Sequence, residues 1–100
     1  MNLTGLQKAF MKKLAPIKKA SFLFNLLALE AKDPAEKELL KKIVTVCIAA
    51  EDLTDPLLQV GKNLSLMLAT EDLTLDLKSS LLSAIGVLEK LREEDIASKN

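Results

Sequence analysis

The chain has no histidine, tryptophan or tyrosine, and only one cysteine, three glycines and three prolines among 100 residues. Each scarcity excludes something. Without histidine there is no neutral-pH imidazole base, no imidazole ligand for zinc, and no helical Glu-x-x-His arrangement of the di-iron bundles. The sequence also holds no P-loop, no G-x-G-x-x-G turn and no G-x-S-x-G elbow. A single cysteine cannot close an internal disulfide, so nothing marks an oxidised, secreted scaffold. So few glycines and prolines leave too little turn material for an all-β domain. No catalytic residue, cofactor or metal is therefore expected.

What is present favours helices. Apolar residues make up 49% of the chain and charged residues 28%, with Leu, Lys, Glu and Ala prominent. These are strong helix formers, and the balance is that of a folded chain rather than a disordered one. A chain of this length forms one small domain that buries roughly 60–70% of its unfolded surface, with little room for a large internal pocket.

Caps and prolines divide the chain. Thr4 and Gln7 have capping-box spacing and open a helix over about 5–14, with Leu6, Phe10, Leu14 and Ile17 recurring along it. Pro16 either kinks that helix or begins the next, over about 16–31. Asp33-Pro34 starts a helix over 34–50 and Asp55-Pro56 one over 56–69; Thr74 with Asp76, or Thr70 with Glu71 and Asp72, can start the last, over about 75–94, leaving 95–100 to fray. The expected fold is all-α: an antiparallel up-and-down bundle of four main helices preceded by a short or proline-kinked N-terminal helix. Inward stripes are expected at Leu39, Ile43, Val46 and Ala50 with Leu40, Val44 and Cys47 beside them, at Leu57, Val60, Leu64 and Leu68, and at Leu77, Leu81, Ile85, Leu88 and Leu91. Gly61 with Ser65, and Ser79 with Ser83, are one turn apart and should let the last two helices approach closely.

CIAAEDLT at 47–54 returns as MLATEDLT at 67–74. The copies read as two helix junctions, since acids near a helix start gain about 0.3–1 kcal/mol from its dipole. As cation sites, Glu51–Asp55 and Glu71–Asp76 lack the alternating oxygens and glycine of a calcium loop. A helix of about 13 residues between them would hold them about 20 Å apart. Cys47 lies on an apolar stripe without a basic neighbour and reads as a core residue. The triplets Asn2-Leu3-Thr4 and Asn63-Leu64-Ser65 are read as chance sequons.

Zero net charge conceals an uneven distribution. Residues 1–50 hold nine lysines and four acids, while residues 51–100 hold ten acids and five basic residues. Lys8, Lys12, Lys13, Lys18 and Lys19 precede the first acid, Glu30. On a continuous helix Lys8, Lys12 and Lys19 lie opposite Leu6, Phe10 and Leu14, a pattern suited to an anionic membrane surface. Nucleic acid is not an expected partner, because this segment has no arginine, tyrosine or tryptophan and the rest of the chain is acidic.

The run FLFNLLAL at 22–29 is apolar on nearly every side, as in a helix covered by several neighbours. One side of it could instead meet another subunit, so Phe22, Phe24, Asn25 and Leu29 are candidate partner-binding residues, with Asn25 as a register-setting polar residue. The basic start and this run have the outline of a secretory signal, but Asn25 interrupts the run and no A-x-A site follows. At about ten residues the run is also too short to span a bilayer. The expectation is a cytoplasmic, non-enzymatic protein-interaction module of the small adaptor, inhibitor or immunity-like kind, associating with itself as a homodimer or with another protein. A peripheral protein binding anionic lipid through its lysine-rich start is the alternative.

Overall fold

A computed structural model describes residues 3–99. Asn2 of the first sequon and Asn100 of the tail lie outside the described residues. The described residues form five helices and no strand: α1 (Gly5–Lys12), α2 (Pro16–Glu30), α3 (Pro34–Ala49), α4 (Pro56–Thr70) and α5 (Leu75–Ser98).

The helices begin where the sequence supplies a cap or a proline. Thr4 Oγ1 accepts from the Gln7 amide at 3.1 Å, and Gln7 Oε1 accepts from the Thr4 amide at 2.9 Å, closing a capping box. Asp33 Oδ1 accepts from the Ala35 amide at 3.2 Å, and Thr74 Oγ1 from the Leu77 amide at 3.2 Å. Pro16 begins a second helix and does not kink one long one. Its ring disfavours the α region for the preceding residue, and Ala15 is extended, with φ −62° and ψ 152°. As a result α1 stops at Lys12, two residues before the expected end, and closes with tight bonds from the Lys13 and Leu14 amides to the Phe10 and Met11 carbonyls.

The other correction to the helix limits lies at the C-terminus. Residues 95–98, expected to fray, continue α5 as helix. The apolar stripe ends near Leu91, but no glycine or proline follows, and Arg, Glu and Ala sustain a helix by propensity alone. Lys99 Nζ also lies 3.1 Å from Asp95 Oδ2, one turn back. At 24 residues α5 is about 36 Å long, comparable to the longest dimension of the molecule, 39 Å.

The helices pack as a bundle around a single core. α2 packs most extensively on α3, and α4 on α5, with smaller contacts of α2 on α5 and of α3 on α4. α2 contributes Ile17, Ala20, Phe24 and Ala28, and α3 contributes Leu39, Leu40, Ile43 and Cys47. Leu57, Val60 and Leu64 come from α4, and Leu81, Ala84 and Leu88 from α5. Each large apolar side chain so buried contributes roughly 1.5–3 kcal/mol. Most of the expected stripe residues are buried, but Val44, Val46, Leu68, Leu77, Ile85 and Leu91 only flank the core. On α5 Ala84 takes the central place expected for Ile85.

Candidate interaction surface

α1 is the one helix that buries none of its residues. A helix of eight residues is too short to be stable in water by itself, so its capping box and its contact with α2 matter. That contact is aromatic: the Phe10 and Phe22 rings lie 5.3 Å apart, tilted by 55°. Leu6 nevertheless remains 83% exposed and Phe10 51% exposed. Lys8 and Lys12 occupy the opposite side of the helix, and Lys13 and Lys18 are also exposed. The break at Pro16 removes Lys19 from the side of Lys8 and Lys12, where a continuous helix would have placed it. None of these five lysines forms an ion pair among the described residues.

The apolar candidates of α2 divide between two sides. Phe24 is fully buried against the core, so in this fold it is not surface for a partner. Lys18, Phe22, Asn25 and Leu29 recur at i, i+4, i+7 and i+11, which places them on one side of α2 facing away from the core. Asn25 is exposed there, and Leu29 is 69% exposed. Through the Phe10–Phe22 contact, α1 joins this same side. Phe10 thus brings α1 alongside Lys18, Phe22, Asn25 and Leu29 of α2, while Lys8 and Lys12 point away from that contact.

A second feature was not anticipated. Asp55 was expected to cap α4 as Asp33 caps α3, but its carboxylate makes no capping bond. It accepts instead from Arg92 of α5, with Nε 3.2 Å from Oδ1 and 3.1 Å from Oδ2, and Nη2 2.8 Å from Oδ2. These bonds hold the Asp55 carboxyl below the usual carboxylate range, with the Arg92 charge and the Leu58 amide as smaller pulls against a modest cost of desolvation. Asp55 also has φ 140°, the only positive φ outside glycine among the described residues. Such a backbone costs about 1–3 kcal/mol and persists only where its surroundings hold it. The signal that could have found the pair is compositional: Arg92 is the only arginine among 13 lysines, and a forked guanidinium suits a two-oxygen clamp.

The two acidic junctions therefore differ. Thr74 caps α5 in the second copy, whereas in the first the chain runs on past Thr54 to the strained Asp55. Glu71 lies 3.6 Å from Lys42 of α3. Among the described residues no group of three or more His, Cys, Asp and Glu is placed to hold a metal ion. Cys47 is fully buried, and burial pushes its thiol up to about 11. The nearby Ser21 hydroxyl lowers that value a little and Glu51 raises it, although no bond of hydrogen-bonding geometry satisfies Ser21 Oγ. A thiol so placed is a weak nucleophile.

α4 packs on α5 as expected, but not through Gly61. A side chain built at Gly61 would meet nothing within 4 Å. Gly61 and Ser65 instead line a groove of about 410 Å³ between α4 and α5, and Ser79 and Ser83 line another of about 250 Å³ beside Phe24. Among the described residues no helix is long and apolar enough to cross a membrane. No family model, no curated protein and no solved structure matches the chain.

Proposed function

We propose that the chain is a non-enzymatic protein-interaction module, a small adaptor, inhibitor or immunity-like bundle that associates with itself or with another protein in the cytoplasm. The observation that carries this reading is α1: a capped helix with no buried residue, presenting Leu6 and Phe10 next to the outer side of α2 and carrying unpaired lysines on its other side. Large exposed apolar side chains clustered with charge mark docking surfaces. We read the four longer helices as an antiparallel up-and-down scaffold for that surface, since only three residues connect α2 to α3 and four connect α4 to α5. Replacing Leu6 and Phe10 by glutamate should leave the bundle's melting temperature nearly unchanged, because neither side chain is in the core. The same double variant should fail to recover partners that co-purify with the wild type from the native source. Recovery of the same partners in the same amounts would refute the reading.

One observation favours a second reading. α1 sets Lys8 and Lys12 opposite its apolar side, with no acid before Glu30, which also suits an anionic lipid surface. In sedimentation with vesicles, binding should then require anionic lipid, weaken with salt and disappear when Lys8 and Lys12 become glutamate. Equal binding to neutral vesicles, or none at low salt, would remove this reading.

A further inference from the structure

We propose that the groove between α4 and α5 receives helix α1 of a second copy of the chain. The inference rests on the reading of α1 as the docking element and adds its destination.

Length comes first. The groove runs from Leu57 to Ser65 on α4 and from Ile85 to Glu93 on α5, eight residue steps on each wall, or about 12 Å. α1 has eight residues and is also about 12 Å long. Shape agrees: Leu57, Leu58 and Ile85 provide an apolar lining, and the missing side chain at Gly61 leaves space above the backbone for a ring. Leu6 and the half of Phe10 that Phe22 leaves uncovered, one turn apart on α1, match such a slot as successive anchors of a helix laid in a groove.

Charge decides between possible occupants. Glu89 and Glu93 are exposed on the α5 wall and Lys62 on the α4 wall, while Arg92 is already clamped by Asp55, so the lining keeps an excess of one negative charge. The groove therefore favours a basic helix. The N-terminal half of the chain carries an excess of five positive charges and the C-terminal half an excess of five negative ones, from nine lysines against four acids and ten acids against five basic residues. Yet Lys42–Glu71 is the one ion pair between the halves among the described residues. Most of this complementarity is unused within one copy, and two copies can use it. The copy's own α1 is held elsewhere: Phe10 packs on Phe22, the connection to Pro16 is three residues long, and no residue of α1 lines the groove. Reciprocal insertion of two α1 helices gives a closed twofold dimer. Two short helices bury area in the range of weak interfaces, below about 1,200 Å², so the dimer is concentration-dependent.

The test is sedimentation velocity of the full chain across a dilution series. The wild type should pass from monomer to dimer and should dissociate as salt is raised. Gly61→Leu fills open space and removes a helix-interior glycine, so it should fold at least as stably as the wild type while weakening the dimer at least tenfold. Lys13, seven residues after Leu6 and three after Phe10, is the exposed lysine on the anchor side of α1. Lys13→Glu in one chain, and Glu89→Lys with Glu93→Lys in another, should each weaken the homodimer, and mixing the two chains should restore a heterodimer. A wild type that stays monomeric up to roughly 1 mM overturns the inference, whether or not it sediments with anionic vesicles. A dimer that survives Gly61→Leu but is lost on Leu6→Glu with Phe10→Glu overturns the groove and leaves α1 as the docking element. A dimer indifferent to every one of these changes overturns both readings.

Discussion

Truncating Phe24 tests which side of α2 is core and which is surface. Replacing a buried phenylalanine by alanine costs about 3–5 kcal/mol, from lost transfer energy and from the cavity left behind. Phe24 is fully buried, but it also borders the groove of about 250 Å³ near Ser79 and Ser83. Space vacated by the ring would join that groove and admit water, which places the loss at the low end, about 3 kcal/mol. For a domain of this size each kcal/mol moves the melting temperature by roughly 4–8 °C, so the expected fall is about 12–24 °C. Urea unfolding followed by far-UV circular dichroism should show a lower midpoint with an unchanged slope. Leu29→Ala and Asn25→Ala, on the opposite side, should stay within about 0.5 kcal/mol of wild type. A loss under about 1 kcal/mol for Phe24→Ala, or an equal loss for Leu29→Ala, would mean that α2 is rotated from the orientation described. The outer face built from Lys18, Phe22, Asn25 and Leu29 would then be wrong as well.

The Asp55–Arg92 clamp should leave a pH signature. The Asp55 carboxyl is held below its ordinary value of about 3.9, so its contribution to stability is present above that value and is lost as pH falls through the lower folded one. The melting temperature of wild type should exceed that of Asp55→Asn at neutral pH, with the gap closing in acid and narrowing in salt because the pair is partly exposed; a gap that does not change with pH would contradict this assignment. Cys47 should react with a disulfide reagent far more slowly in the native protein than in urea, because its buried thiol is raised to about 11. Since the unfolded thiol ionises near 9 and the folded one does not, stability should decline as pH rises above about 9; equal labelling rates in native and unfolded protein would place Cys47 at the surface.

Local chemistry made much of the fold legible. Proline without an amide hydrogen, Asp33 and Thr74 as caps, and the Thr4–Gln7 box act within one or two turns, so they set four of the five helix starts without reference to the rest of the chain. Where a local rule met a longer-range partner it failed. Asp55-Pro56 repeats the pattern of Asp33-Pro34, yet Arg92, 37 residues away in sequence, takes the Asp55 carboxylate that would have capped α4. The persistence of α5 to Ser98 is hidden from the sequence for the opposite reason, since the end of its apolar stripe is not the end of the helix. An apolar stripe reports packing, whereas the backbone continues on propensity and local charge.

The candidate surface shows the same division. By itself, the sequence determined that the chain would be helical, that its basic charge would gather before Glu30, that Cys47 would sit in the core, and that no histidine-based chemistry was available. It could not assign sides to a run such as FLFNLLAL, because periodicity carries no information where nearly every position is apolar. Packing against α3 and α5 turned Phe24 inward and left Phe22, Asn25 and Leu29 outward. The ring contact between Phe10 and Phe22 then joined the lysine-bearing helix to that outer side. Only the tertiary structure could also show that Gly61 faces open space and does not contact a neighbouring helix. A residue's type limits how close a neighbour may come, but the position of that neighbour is set by the packing of the whole bundle.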